Sequence, residues 1–368
     1  MNILFFIETL HAGGKERRLV ELITYLKNKT DYQIQLVLAE HDIHYDSVTN
    51  LNIDIYFLTR NRIRRDPSLF FKFYQIVKKC NPDIIHTWGT MSTFYSIPSK
   101  LILNKKLIAN LITNAKRNYN TISLMSLFNS INFLFSNLII GNSLAGLKAY
   151  NLETNEKVKL IYNGVSKDRF PQNIDTIHIK KKLNIATKHV ITMVASASKN
   201  KDYDLLLDVA KITYLLNSDI TFLCVGNGTE LERLENRRLD ESIKNTIFLG
   251  KRNDIEELIA ISDICLLLSQ SEGISNAIIE YMAMGKPVIT TDLSGGSREL
   301  IINEKTGFIM QPIDQQISKK IIELINTPDL MKSLGQEGQH VINQKFSIER
   351  MGKEYINLYS KYNSLNDF

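Results

Sequence analysis

Residues 271–289 read SEGISNAIIEYMAMGKPVI, which sets two acids, Glu272 and Glu280, eight positions apart around a glycine, a serine, an asparagine and an apolar run. The run ICLLL at 264–268 comes just before, so the segment reads as a strand, a loop SQSEGIS and a helix from about Asn276 to Met284. Ser275 is the natural N-cap, because its hydroxyl can accept an amide of the first turn. The amides around Gly273 to Asn276 then suit an anion, and the helix dipole adds about 0.3 to 1 kcal/mol for a phosphate placed there. That dipole explains an acid such as Glu272 with or without a ligand. It does not explain Glu280, because Ala277, Ile278, Ile279, Met282 and Ala283 make the helix largely apolar and an unpartnered carboxylate among them is costly. A carboxylate at that position can accept two hydroxyls of a vicinal diol such as a ribose, so the two acids can grip two ends of one nucleotide sugar.

The same alternation of short apolar runs and helical patterns continues in both directions. Upstream the runs are ILFFI (3–7), IQLVLA (34–39), IDIYFL (53–58), DIIH (83–86), LIANLI (107–112), LIIG (138–141) and KLIY (159–162). Later runs are VITMVA (190–195), ITFLCV (220–225), TIFLG (246–250), ICLLL, PVIT (287–290) and GFIM (307–310). Continuously apolar strands separated by helices imply parallel sheets covered on both faces. The stretch YNGVSKDRFPQN at 162–173 interrupts the series with glycine, proline and polar residues, which places a boundary there. The expected architecture is α/β, two Rossmann-like doubly wound parallel-sheet domains facing across a cleft. The expected spans are 1–165, 166–345 and a C-terminal helix, 346–368, that crosses back to the first domain. Ligands of such sheets bind beyond the carboxyl ends of the strands.

Length and composition agree with two cores: 368 residues, 44% of them hydrophobic. Cys80, Cys224 and Cys265 lie far apart with no metal-ligand spacing, and MNILFFIETL lacks a basic leader, so a reducing cytoplasm is expected. The net charge of +6 is uneven: residues 1–165 hold 20 Lys and Arg against 12 Asp and Glu, the remainder 25 against 27. No charge falls between Arg117 and Lys148, yet asparagines and serines recur through that stretch. It reads as an amphipathic helix from about 122 to 135 and a buried strand rather than a membrane span.

Two further loops follow strands. Gly13 and Gly14 lead into a helix patterned on Leu19, Leu22, Ile23 and Leu26, where glycine permits close approach to an anion. Gly226 and Gly228 follow ITFLCV. Neither loop carries the GxGxxG dinucleotide fingerprint, so a nicotinamide enzyme has little support.

EGISNAIIEYMAMGKPVI resembles the E-x(7)-E signature of retaining glycosyltransferases of family four, which have the GT-B architecture. HAGGKERRLVEL, PDIIHTWG, VKLIYNGVSKDRF, SASKNKDYDLLL, FLCVGNGTELERL, IFLGKRNDIEELIAISDICLLLSQSEG and GGSRELIINEKTGFI follow in the family's order, over nearly the whole chain. The resemblance implies transfer of a hexose-type sugar from a nucleotide diphosphate (a UDP- or GDP-sugar) to a saccharide or polyprenyl-linked acceptor, with anomeric retention, in surface polysaccharide or lipopolysaccharide assembly. It implies that Glu280 binds the ribose, Glu272 the donor sugar, the backbone of Gly273, Ile274, Ser275 and Asn276 the sugar and diphosphate, and Lys201 the diphosphate. Gly14, beside Gly13, would complete the phosphate site, and Arg252 falls where the base is expected.

Two positions depart from the family's pattern. Ser196 stands where an arginine is common, with Lys199 as a substitute cation, and LIANLITNAKRN offers Ile112 and Thr113 where many members have a histidine. His11, His86 and Trp88 remain as acceptor-side candidates. The pair Asp202 and Asp204 mimics the metal-binding D-x-D of another glycosyltransferase architecture, but acids in a helix's first turn are what the dipole favours. Neither a metal nor a cofactor is expected.

Other partners follow from charge. TRNRIRRDPSLFFKFYQIVKKC, 59–80, combines Arg60, Arg62, Arg64, Arg65, Lys72, Lys78 and Lys79 with Phe70, Phe71, Phe73 and Tyr74. That mixture suits an anionic membrane surface, each cation adding about 1 kcal/mol, and a peripheral position at the inner face of the cell membrane. Nucleic acid is not an expected partner. Two alternatives share the scaffold: a GT-B sugar phosphorylase or nucleotide-sugar epimerase, and a catalytically inactive partner subunit.

Overall fold

The computed structural model of the chain describes residues 1–11, 13–59, 66–111, 124–171, 173–291 and 295–364. Arg60, Arg62, Arg64, Arg65, Ile112, Thr113 and the first residues of the helix expected from 122 lie outside these ranges. Contacts divide the chain into two units, Met1–Gly164 with Ser347–Phe368, and Val165–Phe346.

The first unit runs β1 (Asn2–Ile7), α1 (Gly14–Lys29), β2 (Gln33–Leu38), α2 (Asp46–Thr49), β3 (Asp54–Phe57), α3 (Ser68–Cys80), β4 (Ile84–Trp88), α4 (Thr90–Ile102), β5 (Lys106–Leu111), α5 (Leu124–Phe135), β6 (Leu138–Gly141), α6 (Leu144–Ala149) and β7 (Val158–Leu160). Its strands form one sheet in the order β3-β2-β1-β4-β5-β6-β7, with every pair parallel. Ile3 to Ile7 are fully buried, which is why ILFFI shows no alternation: both faces of the central strand are covered.

The second unit contains α7 (Thr176–Lys182), β8 (His189–Val194), α8 (Tyr203–Leu216), β9 (Ile220–Val225), α9 (Leu231–Asp240), β10 (Thr246–Gly250), α10 (Ile255–Ala260), β11 (Ile264–Leu267), α11 (Asn276–Ala283), β12 (Val288–Thr291), β13 (Phe308–Met310), α12 (Asp314–Ile325) and α13 (Pro328–Lys345). Its sheet order is β10-β9-β8-β11-β12-β13, again wholly parallel. Helix α14 (Ile348–Ser364) packs on α1 of the first unit, and its Met351, Tyr355, Leu358 and Tyr359 join that unit's core.

In each sheet the strand order reverses once, between β1 and β4 and between β8 and β11. The strand ends at such a reversal splay the following loops apart and leave a crevice, where ligands of doubly wound sheets bind. The loops after β8 and β11 carry Lys201 and Glu272.

Candidate active site

Within the second unit, two loops are laced together beyond the ends of β8 and β11. The Asp202 amide donates to Leu268 O (2.9 Å), the Gln270 amide to Asn200 O (2.9 Å), and Asn200 Nδ2 to Ser271 O (2.9 Å). Lys201 thus forms a bridge with Ser269, and its ammonium is hydrogen-bonded to Glu272 Oε1. Glu272 is 6% exposed, so the cation and the carboxylate meet away from bulk water, where their interaction is weakly screened.

The loop's other side is fixed by backbone proximity. After β12 a short 3-10 turn, Gly296–Glu299, passes against the loop. A Cβ at Gly296 would lie 2.1 Å from Gly273 O and 2.4 Å from Glu272 O, so only glycine fits there. Thr291 holds the preceding residues, donating its hydroxyl to Ser269 O and accepting the Ser269 amide, both at 2.9 Å.

Helix α11 then begins at Asn276, with Ser275 as N-cap accepting the Ile278 amide (3.4 Å). Gly273, Ile274 and Ser275 are buried and Asn276 is half-buried. The helix's first-turn amides have no intrahelical acceptors by construction, so the site combines partial positive charge from the backbone with the Lys201 ammonium. One turn on, Glu280 is 6% exposed and receives Arg169 Nη1 at 2.8 Å, while Arg169 Nε reaches Glu256 Oε1 at 2.6 Å. The buried acid, whose cost the sequence makes evident, is therefore charge-paired. Next to it Tyr281, fully buried, accepts the Val194 amide at 2.6 Å, and Tyr203 donates to Ala195 O at 2.7 Å. Burial pushes both phenols well above their ordinary pKa, so they stay neutral and anchor the end of β8.

Glu272, Gly273, Ile274, Ser275, Asn276, Glu280 and Lys201 thus belong to one locality. Arg252 follows β10 and is paired with Asp254 (Nε–Oδ1 2.8 Å), and that guanidinium holds the Asp254 carboxyl below its ordinary pKa. Ser196 and Lys199 are exposed in the loop before Lys201, with Ser196 Oγ 3.3 Å from Ser198 Oγ. Gly228 also has a packing reason, since a Cβ there would lie 2.1 Å from Ala197 O. Asp202 caps α8 by accepting the Leu205 amide (3.0 Å), and Asp204 is bound by Arg233 and Arg237, the Arg233 hydrogen bond first among the causes that lower its pKa. The D-x-D spacing is accounted for by a helix cap and a surface ion-pair network.

In the first unit, Gly13 caps α1 and Gly14 is exposed, but the Gly13 amide is already donated to Tyr45 Oη (3.0 Å). His11 is half-buried, 3.5 Å from Glu40 and 3.4 Å from Asp42. His86 and Trp88 require correction as acceptor-side residues: they are 0% and 1% exposed and offer no surface to a sugar. His86 Nδ1 lies 2.7 Å from Tyr359 Oη, and its ring is flanked by Phe5, Trp88 and Tyr355. Burial pushes its pKa from 6.5 down to about 3, which makes it a neutral core histidine.

The residue that sequence reasoning passes over is Arg169. It lies in SKDRF, read only as a linker, in a 3-10 turn 111 positions before Glu280. A buried acid in an apolar helix signals that a cation is needed, but not which one.

Residues 12–169 match the family model described as Glycosyltransferase Family 4, and residues 175–341 the model described as Glycosyl transferases group 1. The chain is 26% identical over 320 residues to N-acetyl-alpha-D-glucosaminyl L-malate synthase of Bacillus anthracis, covering 82% of this chain and 80% of that protein. It is 24% identical over 327 residues to N-acetylgalactosamine-N,N'-diacetylbacillosaminyl-diphospho-undecaprenol 4-alpha-N-acetylgalactosaminyltransferase of Campylobacter jejuni, covering 83% and 85%. Among solved structures, Anabaena HepE in complex with UDP-glucose superposes with a TM-score of 0.87 at 21% identity, over 98% of this chain and 100% of that one. That likeness, with the two parallel sheets, places the fold in the GT-B class. With both halves matched in order, the chain belongs to the family-four, group-one glycosyltransferases.

Proposed function

We propose that this glycosyltransferase moves a sugar from a nucleoside diphosphate to a hydroxyl of a saccharide or polyprenyl-linked acceptor, with anomeric retention, in surface polysaccharide or lipopolysaccharide assembly. One observation carries the reading: Lys201 and Glu272, from the loops at the strand-order reversal, meet beside the capped start of α11, with Glu280 a turn further along. A diphosphate at the helix start competes with Glu272 for the Lys201 ammonium. The displaced carboxylate is then available to the hydroxyls of the donor sugar, and Glu280, held by Arg169, to the ribose.

In the reaction the acceptor oxygen bonds to the anomeric carbon on the face that the diphosphate leaves. The carbon–oxygen bond to phosphate breaks, and the acceptor's proton passes to a diphosphate oxygen. Lys201 neutralises charge that grows on the leaving group, a contribution of about 3 to 4 kcal/mol for one such contact. Retention through a glycosyl-enzyme would need a second carboxylate about 5 Å from the first, and Glu280 is committed elsewhere. Glu272 therefore orients and stabilises.

The relatives' printed names favour a transferase over a phosphorylase or epimerase, and the Campylobacter name, with its diphospho-undecaprenol acceptor, supports a lipid-linked one. Among the described residues no helix is long and apolar enough to cross a membrane. A peripheral contact has other support: α3, α4 and α5 pack side by side and expose Phe71, Leu101, Ile102, Leu127 and Leu134. The aromatic side of α3 is otherwise internal, with Phe73 buried and Phe70 against Tyr95.

The test is release of nucleoside diphosphate from a panel of nucleotide sugars, with and without acceptor. Acceptor-dependent release that falls about 100- to 1,000-fold in Lys201→Ala, and falls in Glu272→Ala, is expected. Nucleotide binding without turnover, or release indifferent to acceptor, would overturn the proposal.

A further inference from the structure

We propose that His11, Asp42 and His44, within the first unit, form a binding site for a divalent transition metal of the zinc class. The register of the backbone assembles it. A parallel bridge joins Leu10 to Ile43, and the His44 amide donates to Leu10 O at 3.0 Å. Each side of that bridge then carries its next residue alongside the other's, so His11 and His44 stack, ring centroids 4.9 Å apart and planes 25° from parallel. Ile43 packs against the apolar core, and Asp42 and His44, one residue to either side, project together, as side chains two apart on an extended segment do.

The donor atoms converge. His44 Nε2 lies 2.8 Å and His11 Nε2 3.4 Å from the same oxygen, Asp42 Oδ2, and one donor atom from each of the three residues lies within 4.8 Å of the other two. A tetrahedral ion with bonds near 2.0 Å spaces its ligands about 3.3 Å apart, so an ion can enter with small side-chain adjustments. Three protein ligands leave the fourth position of a tetrahedral ion to water. Imidazole nitrogen with carboxylate oxygen selects zinc, copper, nickel or iron over magnesium or calcium.

The side chains are open to solvent, with Asp42 67% and His11 44% exposed, so an ion has access. Its effect would be to tie the turn after β1 to the segment after β2. That turn leads into Gly13, which Tyr45 already grips through both its amide and its carbonyl, so the metal would stiffen the glycine turn before α1. The sequence hides the site, because E-H-D-I-H resembles no metal motif until His11 arrives from the turn after β1.

The experiment uses the full chain stripped with a chelator and titrated with Co2+, read by its ligand-field absorption, then displaced by Zn2+. One equivalent per chain is expected, with the intense visible bands of a four-coordinate nitrogen and oxygen set. His11→Ala and His44→Ala should each weaken uptake by about tenfold or more, given that loss of even an outer-shell partner costs about 10- to 100-fold. His41→Ala serves as a control, since His41 faces Phe57 instead and should leave uptake unchanged. Trp88 emission, matched between wild type and variants, verifies that the unit is folded. No saturable uptake, or uptake that persists in both His11→Ala and His44→Ala, overturns the proposal.

Discussion

Replacing His86 by phenylalanine separates a core role from a functional one. The imidazole is fully buried, and burial lowers its pKa from 6.5 to about 3. The titratable groups against it are Tyr355 and Tyr359, whose pKa values burial raises, so both remain neutral. The unfolded chain therefore binds a proton at this histidine between about pH 6.5 and about pH 3 and the folded chain does not, so stability rises with pH across that window. The contribution is fully present above the unfolded pKa and is lost as the solution is acidified. Between about pH 7 and about pH 5 the linkage amounts to about 2 kcal/mol.

Trp88 makes the measurement specific. It is the only tryptophan, it is buried in the first unit, and its ring lies 5.8 Å from that of His86. Urea unfolding followed by its emission reports that unit alone. Wild type should lose about 2 kcal/mol more than His86→Phe on going from about pH 7 to about pH 5. The variant's absolute stability falls by about 1 to 3 kcal/mol, because the Tyr359 hydroxyl loses its partner, but that loss is independent of pH. Equal pH dependence in the two chains would refute the reasoning.

Glu280→Gln should weaken nucleotide binding by about 1 to 3 kcal/mol and erase the preference for ribose over a 2′,3′-dideoxyribose, as calorimetry with paired nucleotides would reveal. Gly296→Ala forces a methyl against the carbonyls of Glu272 and Gly273. Donor affinity should drop, the second unit should lose about 1 to 3 kcal/mol, and Trp88-monitored unfolding should stay put; wild-type affinity would contradict the close packing. Tyr281→Phe leaves the Val194 amide without its acceptor, which should cost about 1 to 3 kcal/mol in the second unit's transition by circular dichroism, while an unchanged midpoint would deny the anchor.

Much of this arrangement could be read from residue order. Strands covered on both faces are apolar throughout, so ILFFI, ITFLCV and ICLLL announce parallel sheets, and the loop after ICLLL with a serine before NAIIEYMA announces a capped helix. Local chemistry sets these features. The remainder depends on chain segments that meet only in the folded unit. His86 and Trp88 look available because they end a strand, yet α14 returns to cover them, with Tyr359 273 positions after His86. Arg169 looks like linker until the fold brings it to Glu280 and Glu256. Asp202 and Asp204 suggest a metal by spacing alone, until Leu205, Arg233 and Arg237 are seen to engage them.

The most direct test is a crystal structure with an unreacted nucleotide sugar, or the nucleoside diphosphate, bound to the full chain. The account predicts phosphate oxygens on Lys201 and the leading amides of α11, ribose hydroxyls on Glu280, and Glu272 turned from the lysine to the sugar. A nucleotide seated elsewhere, with the Lys201–Glu272 pair intact, would contradict it.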